Sequence, residues 1–443
     1  MRSGDPRVAA VAAVAVAIRW RSSATCALVV VLCVVGALRS QAEWRGVQPD
    51  SLGAHTGWVR VVDDPQPFRS STRVVVEVEG ERFESWARGR GSRAVVGRWR
   101  AGERVVVSGE RTRLDERRAS RVAWQHVVGE MRIDWVGDSA PGGAVARASN
   151  RVRSAIERAG DALGDPEGAL FRGLVVGDDR DQPPEMVERF RASGLSHLTA
   201  VSGQNVSFLL AATGPVLRRL RPWARWVVTI GLIAWFVALT RFEPSIVRAG
   251  VMASLSATAF VLGRERDPVR TLAVAVVVLV LVDPLIVWSV GFWLSVGATL
   301  GVSGPGPWIA RRWSRLGALA LPLGVTLGAQ IGVAIPSVLV FGRLPLVSIP
   351  ANLLAVPVAG AVMLYGMPAG LVAGWIPAVA PAVVFPARLG TRWVDAVALI
   401  GARLEPGPTG QVVGWVLITV VSVVALAICC DTRGSNGDLP RDR

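Results

Sequence analysis

The chain has 443 residues, 51% of them hydrophobic, and a mean hydropathy of +0.41. A water-soluble globule of that size would leave too many Val, Leu and Ala side chains against water, so a bilayer is the expected solvent for much of it. The net charge is +15, and all 49 basic residues are Arg. That charge fits positive inner loops, a polyanionic ligand, or both. Cys26, Cys33, Cys429 and Cys430 have neither zinc-site spacing nor the distribution of a disulfide framework. His55, His126 and His197 lie far apart, which argues against a His-based multi-metal hydrolase centre. No metal and no cofactor is expected.

The apolar run 8–18 is too short to span a bilayer, whereas 24–38 is workable with its flanks, so residues 1–43 read as an N-terminal membrane anchor. Residues 44–140 change character. Short alternating runs at 57–62, 72–79, 94–96, 103–109, 120–124 and 131–135 predict five or six strands in a small barrel, with the OB type expected. Residues 141–193 read as an amphipathic helical connector. There Arg147, Arg151, Arg153 and Arg158 are interleaved with small apolar residues, and Pro183 with Pro184 marks a helix start.

Residues 194–430 are dominated by apolar runs, with spans expected near 198–217, 226–240, 244–263, 271–283, 285–302, 317–341, 345–373 and 411–428. The stretch 374–402 carries Arg388, Arg392 and Asp395 and reads as amphipathic; the polar tail 431–443 is expected to be disordered. Arg218, Arg219, Arg221 and Arg225 mark one loop as cytoplasmic. Arg264, Arg266 and Arg270 mark a second, and Arg311, Arg312 and Arg315 a third. Counting back from them puts the barrel on the extracytoplasmic side of the cell membrane. The predicted fold class is therefore an α-helical polytopic membrane protein with a small inserted all-β domain.

The densest polar cluster among these apolar runs is Gly194 to Val206. His197 and Asn205 fall on one helical stripe, with Ser202 and Gln204 beside Gly203, a residue able to interrupt the helix. Arg248, five residues after Glu243, is costly in a membrane unless it faces protein, water or an anion, and Glu243 is a candidate partner. Asp283, Gln330 and Asn352 are further polar groups at membrane depth. Together these residues form a candidate translocation lining; the same groups also serve as helix-packing hydrogen bonders, and His197 with a nearby Ser is a third option. In the barrel, Arg60, Arg73, Arg98, Arg100 and Arg104 are candidate phosphate contacts. Trp58, Phe83, Trp86, Trp99, Trp124 and Trp135 are candidate stacking faces that also suit a small core.

Phe171-Arg172-Gly173-Leu174-Val175-Val176-Gly177-Asp178, followed by Gly194-Leu195-Ser196-His197-Leu198-Thr199-Ala200-Val201-Ser202-Gly203-Gln204-Asn205, resembles the competence domain of the ComEC family of DNA-uptake channels. Glu243 to Ala249, Asp283-Pro284 through Ser295, and Pro350 to Pro357 extend the resemblance over roughly 165–375. It implies passage of single-stranded DNA across the cytoplasmic membrane in natural transformation, with no covalent chemistry in this chain. It also implies a DNA receptor, a cytoplasmic motor and a separate nuclease as helpers. Many family members end in a metallo-β-lactamase-like domain; this sequence has no H-x-H-x-D-H element, so that activity is not expected, nor is a barrel disulfide. The rival expectations are a membrane enzyme using His197 and a non-transporting scaffold.

Overall fold

A computed structural model describes residues 23–199, 203–264, 267–342, 344–407, 409–411 and 413–417. They form two compact units, one of residues 1–182, 198–296 and 359–391, the other of 183–197, 297–358 and 392–443.

The first unit opens with helix α1 (Ser23–Gly46) and continues into the sheet domain. Its strands are β1 (Gly53–Val61), β2 (Gln66–Phe68), β3 (Ser71–Val78), β4 (Glu81–Arg88), β5 (Arg104–Arg113) and β6 (Val127–Ala140). Helix α2 (Arg90–Val96) lies between β4 and β5, and α3 (Glu116–Val122) between β5 and β6. The sheet order is β1-β5-β6-β4-β3-β2, and β1 also pairs with β3, so the five long strands close on themselves. Every pairing is antiparallel except β4 with β6. Alternation explains the closure: Val74, Val76 and Val78 of β3 point inward to meet Val59, Val61, Phe83, Val105, Val107 and Met131.

Two strands expected from the sequence are helical. Residues 94–96 end α2, where Val96 inserts into the barrel core, and 120–124 belong to α3 and the turn after it. A three-residue apolar run fits either period, and burial of one side chain decided it. Strand β4 is weakly marked in the sequence because its inward face offers only Phe83 and Ala87 around Ser85, while Arg82, Glu84 and Trp86 on the other face find partners only in the fold.

After the sheet domain the chain is helical, beginning with α4 (Ala144–Leu163) and α5 (Glu167–Val176) of the first unit. Helix α6 (Pro184–Ala192) and the short α7 (Ser196–Thr199) follow, then α8 (Gly203–Leu217), α9 (Pro222–Leu239), α10 (Pro244–Val261) and α11 (Pro268–Val282). Proline at the first turn starts α9, α10 and α11, where its missing N–H costs nothing. Asp267 adds a cap to α11 by accepting from the Val269 and Arg270 amides. The expected span 285–302 is divided: a 3-10 turn at Pro284–Trp288 precedes α12 (Val290–Ser303). Beyond it come α13 (Pro305–Arg312), α14 (Ala320–Phe341), α15 (Ser348–Trp375) and α16 (Ala380–Leu404). The 374–402 stretch is divided: it holds the end of α15, a 3-10 turn at Pro377–Val379 and most of the amphipathic α16.

Among the described residues, four helices are long and apolar enough to cross a membrane: Pro222–Leu239, Pro244–Val261, Ser314–Phe341 and Ser348–Trp375. Helices α8, α11 and α12 are apolar but shorter, at 15, 15 and 14 residues. The 8–18 run, most of the 411–428 span and the 431–443 tail lie outside the described residues.

Within the second unit, the end of α12 from Gly297, with α13 and α14, approaches backbone to backbone. A Cβ on Gly301 would meet the Gly328 carbonyl oxygen at 1.9 Å, one on Gly332 the Gly297 carbonyl oxygen at 1.9 Å, and one on Gly324 the Gly306 carbonyl oxygen at 2.6 Å. Small residues at such crossings let helices pack where lipid supplies no hydrophobic drive.

Candidate functional site

Two sets of polar residues stand out in the first unit. The first joins the barrel to the helices. Asp64, buried in the turn after β1, accepts from the Ala101 amide at 2.9 Å, from Arg241 Nε and Nη2 at 3.1 Å each, and pairs with Arg153 Nη2 at 3.3 Å. Arg153 reaches Asp178 at 3.3 Å, and Asp178 takes Arg180 Nε and Nη2 at 2.7 and 2.6 Å. Arg180 continues to Glu157 at 3.1 Å, and Glu157 receives both terminal nitrogens of Arg100. Arg241 and Phe242 occupy the left-handed region in the turn between α9 and α10, a conformation that aims Arg241 at Asp64. Burial would raise Asp64; Arg153, Arg241 and Arg180 outweigh it and hold the carboxyl well below its ordinary range. Burial likewise opposes ionisation of Asp178, and its bonds to Arg180 reverse that.

Three other carboxylates meet at this junction. Asp63 and Asp179 are raised, chiefly by burial. Glu243, at the start of α10, reaches solvent but is crowded by protein, and that crowding with the like charges of Asp63 and Asp179 pushes it up to about 7. A carboxyl raised in the fold stabilises it while protonated, and that contribution is lost as pH climbs from the ordinary Glu range through 7. Glu243→Gln should therefore melt close to the wild type at pH 5 and at a higher temperature at pH 8. A variant melting lower at pH 8 contradicts this.

The second set lies at the start of α10, one of the helices long and apolar enough to cross a membrane. Arg248 of α10 is 3% exposed, bonds to Ser295 of α12, and sits 3.2 Å from Met252 Sδ. Its guanidinium lies 3.6 Å from the point a Gly203 Cβ would occupy, so the missing side chain at the start of α8 makes room for it. Asn205, on that same first turn, is buried, and Gln204 is half-buried. The fold therefore brings Gly203, Asn205, Arg248 and Ser295 together from three helices. The Phe171–Asp178 motif is adjacent: Gly173 of α5 lies against Thr199 and Gln182.

The remaining expected lining residues sit elsewhere. Ser202 lies outside the described residues. His197 is exposed, with Nδ1 3.2 Å from the Gly194 carbonyl. Glu243 is not the partner of Arg248, since the charges bearing on it are Asp63 and Asp179. Asp283 caps the Pro284–Trp288 turn through the Leu285 amide and holds His126 Nε2 at 3.2 Å, which makes it a docking residue for the barrel rather than a lining group. Gln330 and Asn352 converge on Ser348: Gln330 Nε2 of α14 donates to its hydroxyl at 2.6 Å, a bond between helices, and Asn352 Nδ2 donates to its carbonyl at 2.7 Å within α15.

In the barrel the expected phosphate contacts divide. Arg60 pairs with Glu77, Arg73 with Glu84 and Gln125, and Arg100 with Glu157, so these guanidiniums are already engaged. Arg104 stacks over Trp58 at 5.2 Å, and Arg98 is exposed. Phe83 and Trp99 are core, Trp86 lies beneath Arg118 and against Phe68, Trp124 is half-buried, and Trp58 and Trp135 are exposed. The sequence reading passed over Arg69, Arg88, Arg90 and Arg93, all exposed. The available signal was that no carboxylate falls between Glu84 and Glu103. No group of three or more His, Cys, Asp or Glu suited to a metal ion occurs among the described residues.

A sequence model described as "Competence protein" matches residues 174–434. ComE operon protein 3 of Bacillus subtilis is 27% identical over 192 residues, covering 42% of this chain and 24% of the relative. Competence protein ComA of Neisseria gonorrhoeae is 32% identical over 228 residues, 46% of this chain and 32% of the relative. The Escherichia coli protein YcaI, described as uncharacterized, is 28% identical over 207 residues, 44% of this chain and 27% of the relative. The matched part thus spans a quarter to a third of the length of these relatives, and no solved structure matches significantly. With that match extending over more than half of its residues, the chain belongs to the competence protein family.

Proposed function

We propose that this protein passes single-stranded DNA across the cytoplasmic membrane, with the barrel on the outer side and no covalent chemistry of its own. The observation that carries the reading is Arg248: a buried guanidinium at membrane depth, beside a glycine that leaves it space and an asparagine on the same turn. A cation in that position is costly to keep away from water, here it is held by the Ser295 hydroxyl, and it suits an anion that passes. Membership of the competence family and the resemblance to DNA-uptake channels supply the anion. The barrel is read as OB-type because its closed order β1-β3-β4-β6-β5, with one parallel pairing and a helix after the third long strand, is that of a five-stranded Greek-key barrel. A receptor, a motor and a nuclease remain proposed partners.

The test is genetic. Deleting the gene in its native host should abolish transformation, and wild-type protein should restore it. Arg248→Gln at equal membrane abundance should restore about tenfold less or worse, equivalent to losing about 1.4 kcal/mol of stabilisation of the passing anion. Full restoration by that variant would remove Arg248 from the path.

A further inference from the structure

We infer that DNA first meets the barrel at one rim, formed by the β2–β3 turn and the segment linking β4 to α2, where Phe68 takes an unpaired base and Arg69, Arg88, Arg90, Arg93 and Arg98 take phosphates. This rests on the DNA-conduit reading and assigns the docking point that reading leaves open.

The register assembles the rim. Phe68 pairs with Ser71 across the β2–β3 turn, and Ser71 pairs with Arg88 at the end of β4. Two residues later α2 begins, carrying Arg90 and Arg93, with Arg98 just past its end. The turn is tight, with Arg69 at φ 51°, which projects Phe68 and Arg69 side by side. Phe68 is 56% exposed; its edge rests on Trp86 at 5.7 Å, and Arg69 lies over its ring at 5.9 Å. An exposed ring braced from beneath is a surface on which a base can stack.

Charge separates this rim from the rest of the barrel. Between Glu84 and Glu103 the chain has five Arg and no Asp or Glu, and Arg100 alone of the five is committed, to Glu157. None of Arg69, Arg88, Arg90, Arg93 and Arg98 makes a side-chain ion pair or hydrogen bond among the described residues. The outer sheet face around Trp58 and Trp135 is different. There Arg60 pairs with Glu77, and Arg132 with Glu110 and Asp134. Five uncompensated forked cations fit a polyanion, because each phosphate they neutralise releases counterions. On its far side Trp86 is covered by α3, whose Arg118 bonds to Glu84 and lies over the indole, so the open part of this surface is Phe68.

The experiment uses the full chain in nanodiscs of uncharged lipid, with a fluorescent single-stranded oligonucleotide as probe. Replacing Arg88, Arg90 and Arg93 with Gln should weaken binding and remove about 2 from the slope of log affinity against log salt. Phe68→Ala should weaken binding about tenfold with the slope kept. A matched triple of the already paired Arg60→Gln, Arg82→Gln and Arg132→Gln serves as the charge control and should leave the slope nearly intact. Melting temperatures within a few degrees of wild type certify the fold. Equal losses in both triples, or none in the first, overturn the assignment. So does a first triple that binds oligonucleotide normally but no longer floats with anionic vesicles, which would make the rim a lipid contact. The conduit and the rim fail separately: Arg248 variants that transform normally leave rim binding untouched, and rim variants that bind normally leave Arg248 standing.

Discussion

Asp64→Ala should detach the barrel from the helices and cost about 3–5 kcal/mol, the loss expected when a buried ion pair loses one partner. Asp64 and Arg153 are each less than 10% exposed, and Arg153 and Arg241 both depend on Asp64. Removing the carboxylate leaves Arg241 with only the neutral Ser149 and Asn150, and Arg153 with Asp178 as its one carboxylate, in a junction from which water is largely excluded. Arg153 Nε is already buried without a partner, so the site has little spare hydrogen-bonding capacity. The exposed pair Arg132–Asp134 is the control: Asp134→Ala should cost about 0–1 kcal/mol. Thermal unfolding reports the difference, and limited proteolysis should show new cleavage in the 141–143 connection after β6. Pairing Asp64→Ala with Arg241→Leu should recover part of the loss, because the stranded charge goes with its partner. A melting temperature for Asp64→Ala within a degree of wild type contradicts this account of the junction. The carboxylates of Asp64 and Asp178 are held low, so their contribution is complete above the ordinary Asp range and fades only as pH falls well below it.

Gly301→Val should be the second severe lesion. A single Cβ there would stand 1.9 Å from a backbone carbonyl of α14, and backbone cannot rotate away as a side chain can. The helices must separate, which forfeits the close packing on which membrane helix association depends. About 3 kcal/mol or more is the expected cost for an overpacked site with so little freedom, and the readout is loss of folded protein by size-exclusion chromatography in detergent. Gly231→Ala in α9 is the contrast, since nothing lies within 4 Å of its Cβ position. It should be neutral or slightly stabilising, by up to about 1 kcal/mol of helix propensity. If Gly301→Val folds as well as Gly231→Ala, the close approach is not what holds these helices.

Much of the architecture is legible in residue patterns because local chemistry determines it. Val74, Val76 and Val78 announce a half-buried strand, and Pro222, Pro244 and Pro268 announce helix starts. The spacing Gly297–Gly301 and Gly324–Gly328–Gly332 repeats every four residues and carries a packing signal that the sequence reading did not use. Other features are not local. Asp64 in Asp63-Asp64-Pro65 reads as a turn; its partner Arg241 is 177 residues away. Arg60, Arg73 and Arg100 look like free cations until folding supplies Glu77, Glu84 and Glu157. Arg248 and Asn205 were legible as polar groups in apolar runs, whereas the space at Gly203 that brings them together needed the packing of α8 against α10. Gln330 and Asn352 carry the same polar signal, yet Gln330 bonds to Ser348 of α15 and Asn352 to its own helix, because composition does not reveal whether a polar residue faces a neighbouring helix or a path.

The most direct measurement reconstitutes the full chain in sealed vesicles and times the arrival of a fluorescent single-stranded oligonucleotide in the lumen, for wild type and for Arg248→Gln. Wild-type vesicles that admit the strand, with the variant admitting it about tenfold more slowly, are the predicted result. Equal rates in the two would contradict a route past Arg248.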